Sequence, residues 1–156
     1  MIEEYNRSGN PGRFSVIYDG DYAHVVQTKR SIDGQLQEFQ PILSTIVPVG
    51  KSQGSCEDVL AGLWGELQDL RGIKPVMEFA VPAVALLYQQ CSIRGHGIAA
   101  RDVLIQVLDQ IDLHPRTHER VARFAWSFLH DPTTDRYFLN TQAFPKPDPT
   151  PAPPKK

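Results

Sequence analysis

The chain has few of the features that identify small enzymes and secreted scaffolds. Its 156 residues include only two cysteines, Cys56 and Cys91, whereas a disulfide-dense scaffold or a structural zinc site needs more thiols at paired spacing. The 16 basic and 18 acidic residues give a net charge of −2, without the basic excess of most nucleic-acid binders. We interpret the cysteines as free thiols in a reducing compartment, with a single disulfide as the alternative.

The sequence also lacks a membrane span and a secretory signal. The N-terminus, MIEEYNRSGN, is acidic and polar, without the apolar core of a signal peptide. The most apolar stretch, residues 75–91, contains Glu78 and Pro82 and falls short of the about 20 residues that cross a bilayer. The sequence therefore predicts a soluble, intracellular (cytoplasmic) protein without a membrane partner.

The N-terminal third has the pattern of an antiparallel β-meander. Two Asp-Gly pairs, Asp19-Gly20 and Asp33-Gly34, separate segments rich in β-branched and aromatic residues. Asp-Gly is a strong hairpin signal, because both residues tolerate the positive φ that tight hairpin turns require. With ILSTIVPV as a possible last strand, residues 13–49 are predicted to form three to four strands.

Beyond the meander, apolar residues recur every three or four positions, which is typical of helices. Ser55 followed by Asp58 predicts an N-terminal cap, and Gly72 predicts a stop. The apolar residues of the segment that starts at Pro75 indicate a second, buried helix. The four predicted helices cover about 55–72, 75–90, 99–113 and 115–130.

These patterns together predict an α+β fold. The meander packs on a C-terminal bundle of about four helices at 55–130, and a single domain spans 13–144. DRYFLNTQAF adds a short strand or a packed arm. A flexible leader at 1–12 precedes the domain, and a disordered proline-rich tail at 145–156, PKPDPTPAPPKK, follows it, because such a composition cannot form a core.

His114 and His118 are the nearest approach to a metal-binding motif. Histidines four apart share a metal only on one continuous helical turn. Pro115 fits the first position of a helix and drives the residue before it toward an extended conformation. The pair is therefore predicted to mark a helix start, and no metal or other cofactor is assigned.

A second group, Asp19, Asp21 and His24, supports an alternative function. Carboxylates two apart beside a histidine can hold a divalent ion, and folding could bring His96 or His118 near them. The alternative is a small metal-dependent hydrolase. A tight hairpin turn also explains Asp19-Gly20 and is the favoured interpretation, so no residue is assigned a catalytic role.

Two further groups carry positive charge. Arg94 and His96, in the loop RGHG, could hold an anion, although Gly95 ending the second helix is a simpler explanation of the glycine. Three arginines at helical spacing give a third hypothesis, weak nucleic-acid binding: Arg116, Arg120 and Arg123. The acidic Glu119 beside this row weakens that hypothesis.

The remaining candidates point to a protein partner. Trp126 and Tyr137 are large aromatic residues that could anchor a partner on the surface. In the tail, the segment PAPPKK fits a proline-rich ligand followed by a basic residue; its contacts are Pro151, Pro154 and Lys156. We expect a non-enzymatic protein-interaction or accessory domain of a soluble intracellular protein.

Overall fold

The computed structural model describes residues 1–19, 22–74, 77–79, 89–111, 123–131, 134 and 136–144. The chain divides into two compact units, Met1–Thr45 and Ile46–Lys156. No helix within the described ranges is long and apolar enough to cross a membrane.

The first unit is an antiparallel sheet with short helices at either end. Its elements are α1 (Ile2–Arg7), β1 (Gly12–Asp19), β2 (Tyr22–Ile32), β3 (Gln35–Glu38) and a 3-10 helix (Ile42–Ser44). The strand order is β1-β2-β3, as expected of a meander. Asp33 and Gly34 have φ values of 52° and 79°, which a two-residue hairpin loop of type I′ requires. The predicted Asp33-Gly34 turn is therefore confirmed.

Two expectations for this unit need correction. The predicted leader contains α1, and its Tyr5 ring packs edge-on against Phe14 with ring centroids 5.4 Å apart. The segment ILSTIVPV adds no strand to the meander, because it forms the 3-10 helix and then a two-residue strand, β4 (Ile46–Val47), that pairs elsewhere. The first hairpin forms in the predicted place: Asp19 pairs with Tyr22, and the loop between them lies outside the described residues.

In its described residues, the second unit combines two helices with strands of two to nine residues. Its elements, in chain order after β4, are β5 (Gln53–Ser55), α2 (Cys56–Arg71), β6 (Met77–Phe79), β7 (Gln90–Ser92), β8 (Ile98–Ala99), α3 (Ala100–Gln110), β9 (Arg123–Asp131) and β10 (Arg136–Phe144). A three-stranded sheet has the order β6-β10-β9, and two small antiparallel ladders join β4 to β8 and β5 to β7.

The fold is mixed α+β, but the predicted bundle of about four helices is wrong. The first and third predicted helices correspond to α2 and α3, and Ser55 caps α2 by accepting a hydrogen bond from the Asp58 N–H at 3.1 Å. Where the second and fourth helices were expected, β6 and β9 form instead. The rest of these two predicted helices falls mainly on residues 80–88 and 115–122. Both ranges lie outside the described part of the chain.

The sequence of β9 predicts a helix wrongly because its apolar residues fit both the helical and the strand period. Phe124 and Phe128 are four apart, as on one helical face, but Phe124, Trp126 and Phe128 also alternate as on one strand face. Pairing along all nine residues of β10 selects the strand. The choice between helix and strand thus depends on β10, a separate segment of the chain that supplies the hydrogen bonds.

Buried apolar residues of α2 and α3 form most of the core of the second unit. The largest fully buried side chains include Leu60, Leu67, Leu104, Ile111 and Leu139. If each contributes ~1.5–3 kcal/mol, burial of these five side chains alone supplies on the order of 10 kcal/mol before conformational entropy is subtracted. The unit therefore has a hydrophobic core of its own.

A disulfide lies within this core. It joins Cys56, the first residue of α2, to Cys91 in β7, and their exposed fractions are 0% and 3%. The β5–β7 ladder brings the cysteines together, because it pairs Gly54 with Cys91 and Ser55 with Gln90. The interpretation of the cysteines as free thiols is therefore wrong. The single disulfide, which the sequence left as the alternative, is formed.

Candidate interaction surfaces

The predicted metal groups are not assembled in the part of the chain that the structure describes. No three or more histidine, cysteine, aspartate or glutamate side chains in that part could hold a metal ion. His24 is buried in β2, with 7% of its surface exposed. Asp21, His114 and His118 lie outside the described residues, so the hydrolase hypothesis stays untested.

The arginine and histidine candidates lie only in part within the described residues. Arg94 and His96 are both exposed in the loop after β7. Gly95 there has a φ of 104° and follows a strand, so the expectation that it ends a helix is wrong. Arg123 begins β9 and cannot complete a helical row of arginines; Arg116 and Arg120 lie outside the described residues.

One carboxylate is already bound by backbone N–H groups. Val49 has a φ of 58°, which is unusual for a β-branched residue. The Glu66 carboxylate accepts hydrogen bonds from the Val49 N–H, at 3.2 Å, and from the Gly50 N–H. This arrangement resembles an anion-binding site, but the chain's own side chain fills it, so it holds a strained loop against α2.

Tyr137, one of the two predicted aromatic anchors, belongs to a cluster of rings from α2, β9 and β10. Phe128 stacks between Trp64 and Tyr137, with ring centroids 5.9 and 5.2 Å apart, and His130 lies 4.6 Å from Tyr137. Trp126, Phe128 and Tyr137 are half-buried. Tyr137 therefore contacts other rings within the fold, and whether Trp126 or Tyr137 binds a partner stays a prediction.

A more exposed apolar surface lies on the β1–β2 hairpin of the first unit. Ile17, Tyr18 and Val25 are 42%, 79% and 60% exposed, and we call these three residues the hairpin patch. Val16 pairs with Val25 and Tyr18 with Ala23, so Tyr18 and Val25 are diagonal neighbours on one face. Ile17 lies on the other face, because successive side chains alternate.

The hairpin patch was missed at the level of sequence. Its signal is the run of consecutive apolar residues Val16, Ile17 and Tyr18, since a strand with one buried face alternates apolar and polar residues. Such a run also fits a strand that is buried on both faces. Only the exposed fractions distinguish an exposed run from a buried one.

Carboxamide side chains bond the backbone at single positions: at Phe14 on the edge of β1, at Ser92 in β7, and at Arg94 just after β7. Asn6 bonds both polar groups of the Phe14 backbone: it accepts from the N–H at 2.9 Å and donates to the C=O at 2.7 Å. Gln110 does the same at Ser92, at 2.9 and 3.2 Å, and Gln106 at Arg94, at 2.8 and 3.2 Å. Each amide occupies the place that a neighbouring strand would take.

Comparison of the chain with protein-family models, with curated proteins and with solved structures finds no match. The proline-rich contacts predicted in the tail, Pro151, Pro154 and Lys156, lie outside the described residues.

Proposed function

We propose that this chain is a non-enzymatic protein-interaction domain that binds an extended segment of a partner protein along β1. The observation that supports the proposal is the hairpin patch: Tyr18 and Val25 are exposed neighbours on one face of the hairpin, and Ile17 is exposed on the other face. Single exposed apolar residues are common, but neighbouring ones beside a strand edge indicate an interaction site.

The edge of β1 suits the addition of a strand. Asn6 satisfies both backbone groups of Phe14 on the side away from β2. Alternate residues of an antiparallel strand direct their N–H and C=O groups to the same side, so Val16 and Tyr18 present theirs to that same edge. No described segment pairs with it there. An added strand would gain main-chain hydrogen bonds from the edge and apolar contacts from Tyr18 and Val25.

The partner class follows from the chemistry of this surface. Apolar side chains beside an open strand edge complement a polypeptide better than the phosphates of a nucleic acid, which require basic side chains. No observation favours the hydrolase or the nucleic-acid hypothesis over this one. The intracellular location stays a prediction, and the Cys56–Cys91 disulfide favours a compartment oxidising enough to form it.

A peptide-binding experiment tests the proposal. The probe is a fluorescent ten-residue peptide of alternating valine and threonine with lysines at both ends, titrated with the full chain and followed by anisotropy. A second peptide carries N-methyl groups on alternate amides and so cannot donate along one edge. We expect the first peptide to bind and the second to bind at least tenfold more weakly.

Variants locate the binding surface. Tyr18→Lys combined with Val25→Lys is expected to weaken binding at least tenfold, because both apolar contacts are replaced by exposed charges. Gln37→Lys, an exposed position on β3, is the matched control and should bind as the unaltered chain does. Equal binding of both peptides, or no loss in the double variant, would contradict the proposal.

A further inference from the structure

Two adjacent residues of α1 occupy the edge of β1 at one position, Phe14. The first is Asn6, whose carboxamide accepts a hydrogen bond from the Phe14 N–H at 2.9 Å and donates one to the Phe14 C=O at 2.7 Å. The residue opposite Phe14 in an added antiparallel strand would make the same pair of bonds through its own backbone. Asn6 therefore fills one main-chain position of the edge on which the proposed partner segment lies.

The second residue, Tyr5, fills the side-chain position beside it. The Tyr5 ring packs edge-on against the Phe14 ring, with the two centroids 5.4 Å apart. Because side chains alternate along a strand, Phe14, Val16 and Tyr18 lie on one face of β1. That face carries the exposed Tyr18 ring of the hairpin patch. The Tyr5 ring therefore excludes a partner side chain from the Phe14 end of the apolar face.

The remaining open edge is short. It covers residues 15–19, where Val16 and Tyr18 present their N–H and C=O groups and no described segment pairs with them. Five residues of strand span roughly 17 Å. On the other side of Phe14, the register shifts between Arg13 and Phe14, and such an irregularity ends regular pairing. Phe14 is thus the last regular position of the edge, and α1 occupies it.

We infer that α1 is a stop that limits the segment bound on β1 to about five residues, with Asn6 and Tyr5 as the residues that set the limit. This inference rests on the proposed function. The bound segment ends or turns away from β1 at Phe14, because its next residue would meet the Asn6 carboxamide at the edge and the Tyr5 ring on the face. The site therefore suits a short extended segment of a partner rather than a long strand.

Peptides of two lengths test the limit. The ten-residue peptide of the first experiment is compared with a five-residue peptide of the same pattern, Lys-Val-Thr-Val-Lys, and both dissociation constants are measured by NMR titration of the full chain. For the unaltered chain, the two constants should agree within threefold, because the extra residues find no further edge. In Tyr5→Ala combined with Asn6→Ala, the Phe14 backbone and ring become available. The longer peptide should then bind at least fivefold more tightly than it binds the unaltered chain, whereas the affinity of the shorter peptide should not change.

The control is Glu3→Gln combined with Arg7→Gln, which removes the exposed ion pair of α1 without a change in net charge and should alter neither constant. A second measurement needs no variant: the nuclear Overhauser effect between the Tyr5 and Phe14 rings should persist when either peptide is bound to the unaltered chain. Loss of that effect, or a double variant that binds the longer peptide no more tightly, would overturn the inference and leave the proposed function standing. Binding of neither peptide to any of these chains would contradict the proposed function and the inference together.

Discussion

Loss of the Cys56–Cys91 disulfide should destabilise the second unit by an amount that the loop length sets. The disulfide links residues 35 apart in sequence. In the chain-entropy description, a cross-link lowers the entropy of the unfolded chain in proportion to the logarithm of the loop length. For this loop the effect is roughly 4 kcal/mol at 25 °C. Since small domains have total stabilities of about 5–15 kcal/mol, reduction should remove a large part of the stability.

Urea unfolding of three samples measures this loss: the oxidised chain, the chain reduced with a phosphine, and the double variant Cys56→Ala with Cys91→Ala. The reduced chain and the double variant should both unfold at lower urea than the oxidised chain. In thermal unfolding, a chain of this size loses about 2–4 °C of melting temperature per kcal/mol, so the melting temperature should fall by roughly 8–16 °C. The double variant is also the control, because the reductant should not change its unfolding.

An unchanged urea midpoint after reduction would show that the cross-link contributes nothing to stability. Two reactive thiols, in a titration of the chain folded under oxidising conditions and then denatured, would show that no disulfide forms. Either result would restore the interpretation of Cys56 and Cys91 as free thiols.

Three further changes test the local interactions. Gln106→Ala and Gln110→Ala should each cost roughly 1–2 kcal/mol in urea unfolding, because the Gln106 amide makes two hydrogen bonds to backbone and the Gln110 amide three; no loss in either would show that water replaces the amide. Ser55→Ala should cost about 1 kcal/mol by removing the cap of α2, with Ser55→Asp as the variant that retains a cap. Hydrogen bonds from Lys51 and from Ser55 hold the pKa of Asp58 below its ordinary value of 3.8. The folded state therefore favours the Asp58 carboxylate. Its contribution to folding stability is present above pH 3.8 and is lost as the pH falls through the lowered pKa. The melting temperature of Asp58→Asn should lack this part of the acid dependence.

Local signals in the sequence were sufficient for the elements that short-range chemistry determines. The Asp33-Gly34 turn follows from positive φ at two adjacent residues, and α2 follows from a cap, a period and a terminating glycine. Gly72 has a φ of 63° and donates its N–H to the Gln68 C=O, as expected of a helix stop. No distant residue is needed to specify these features.

Features that depend on distant residues were not predictable in the same way. The Cys56–Cys91 disulfide requires β5 and β7 to pair, and the strand β9 requires β10. Likewise, the consecutive apolar residues of β1 can be seen in the sequence, but their exposure depends on what packs against the sheet. A single sequence shows where apolar residues lie along the chain. It does not show which strands pair, and strand pairing decides which of those residues face the core.

The two glutamines on α3 have a geometric consequence for the rest of the second unit. Four residues of helix rise about 6 Å, and two residues of strand span about 6.6 Å. A helix that runs antiparallel to an extended segment can therefore match one amide to every second residue of that segment, as Gln110 does with Ser92 in β7 and Gln106 with Arg94 just after it. Because one inserted residue turns a helix by about 100°, an insertion between the two glutamines would swing one amide out of reach. The spacing of these side chains thus fixes the alignment of α3 along β7.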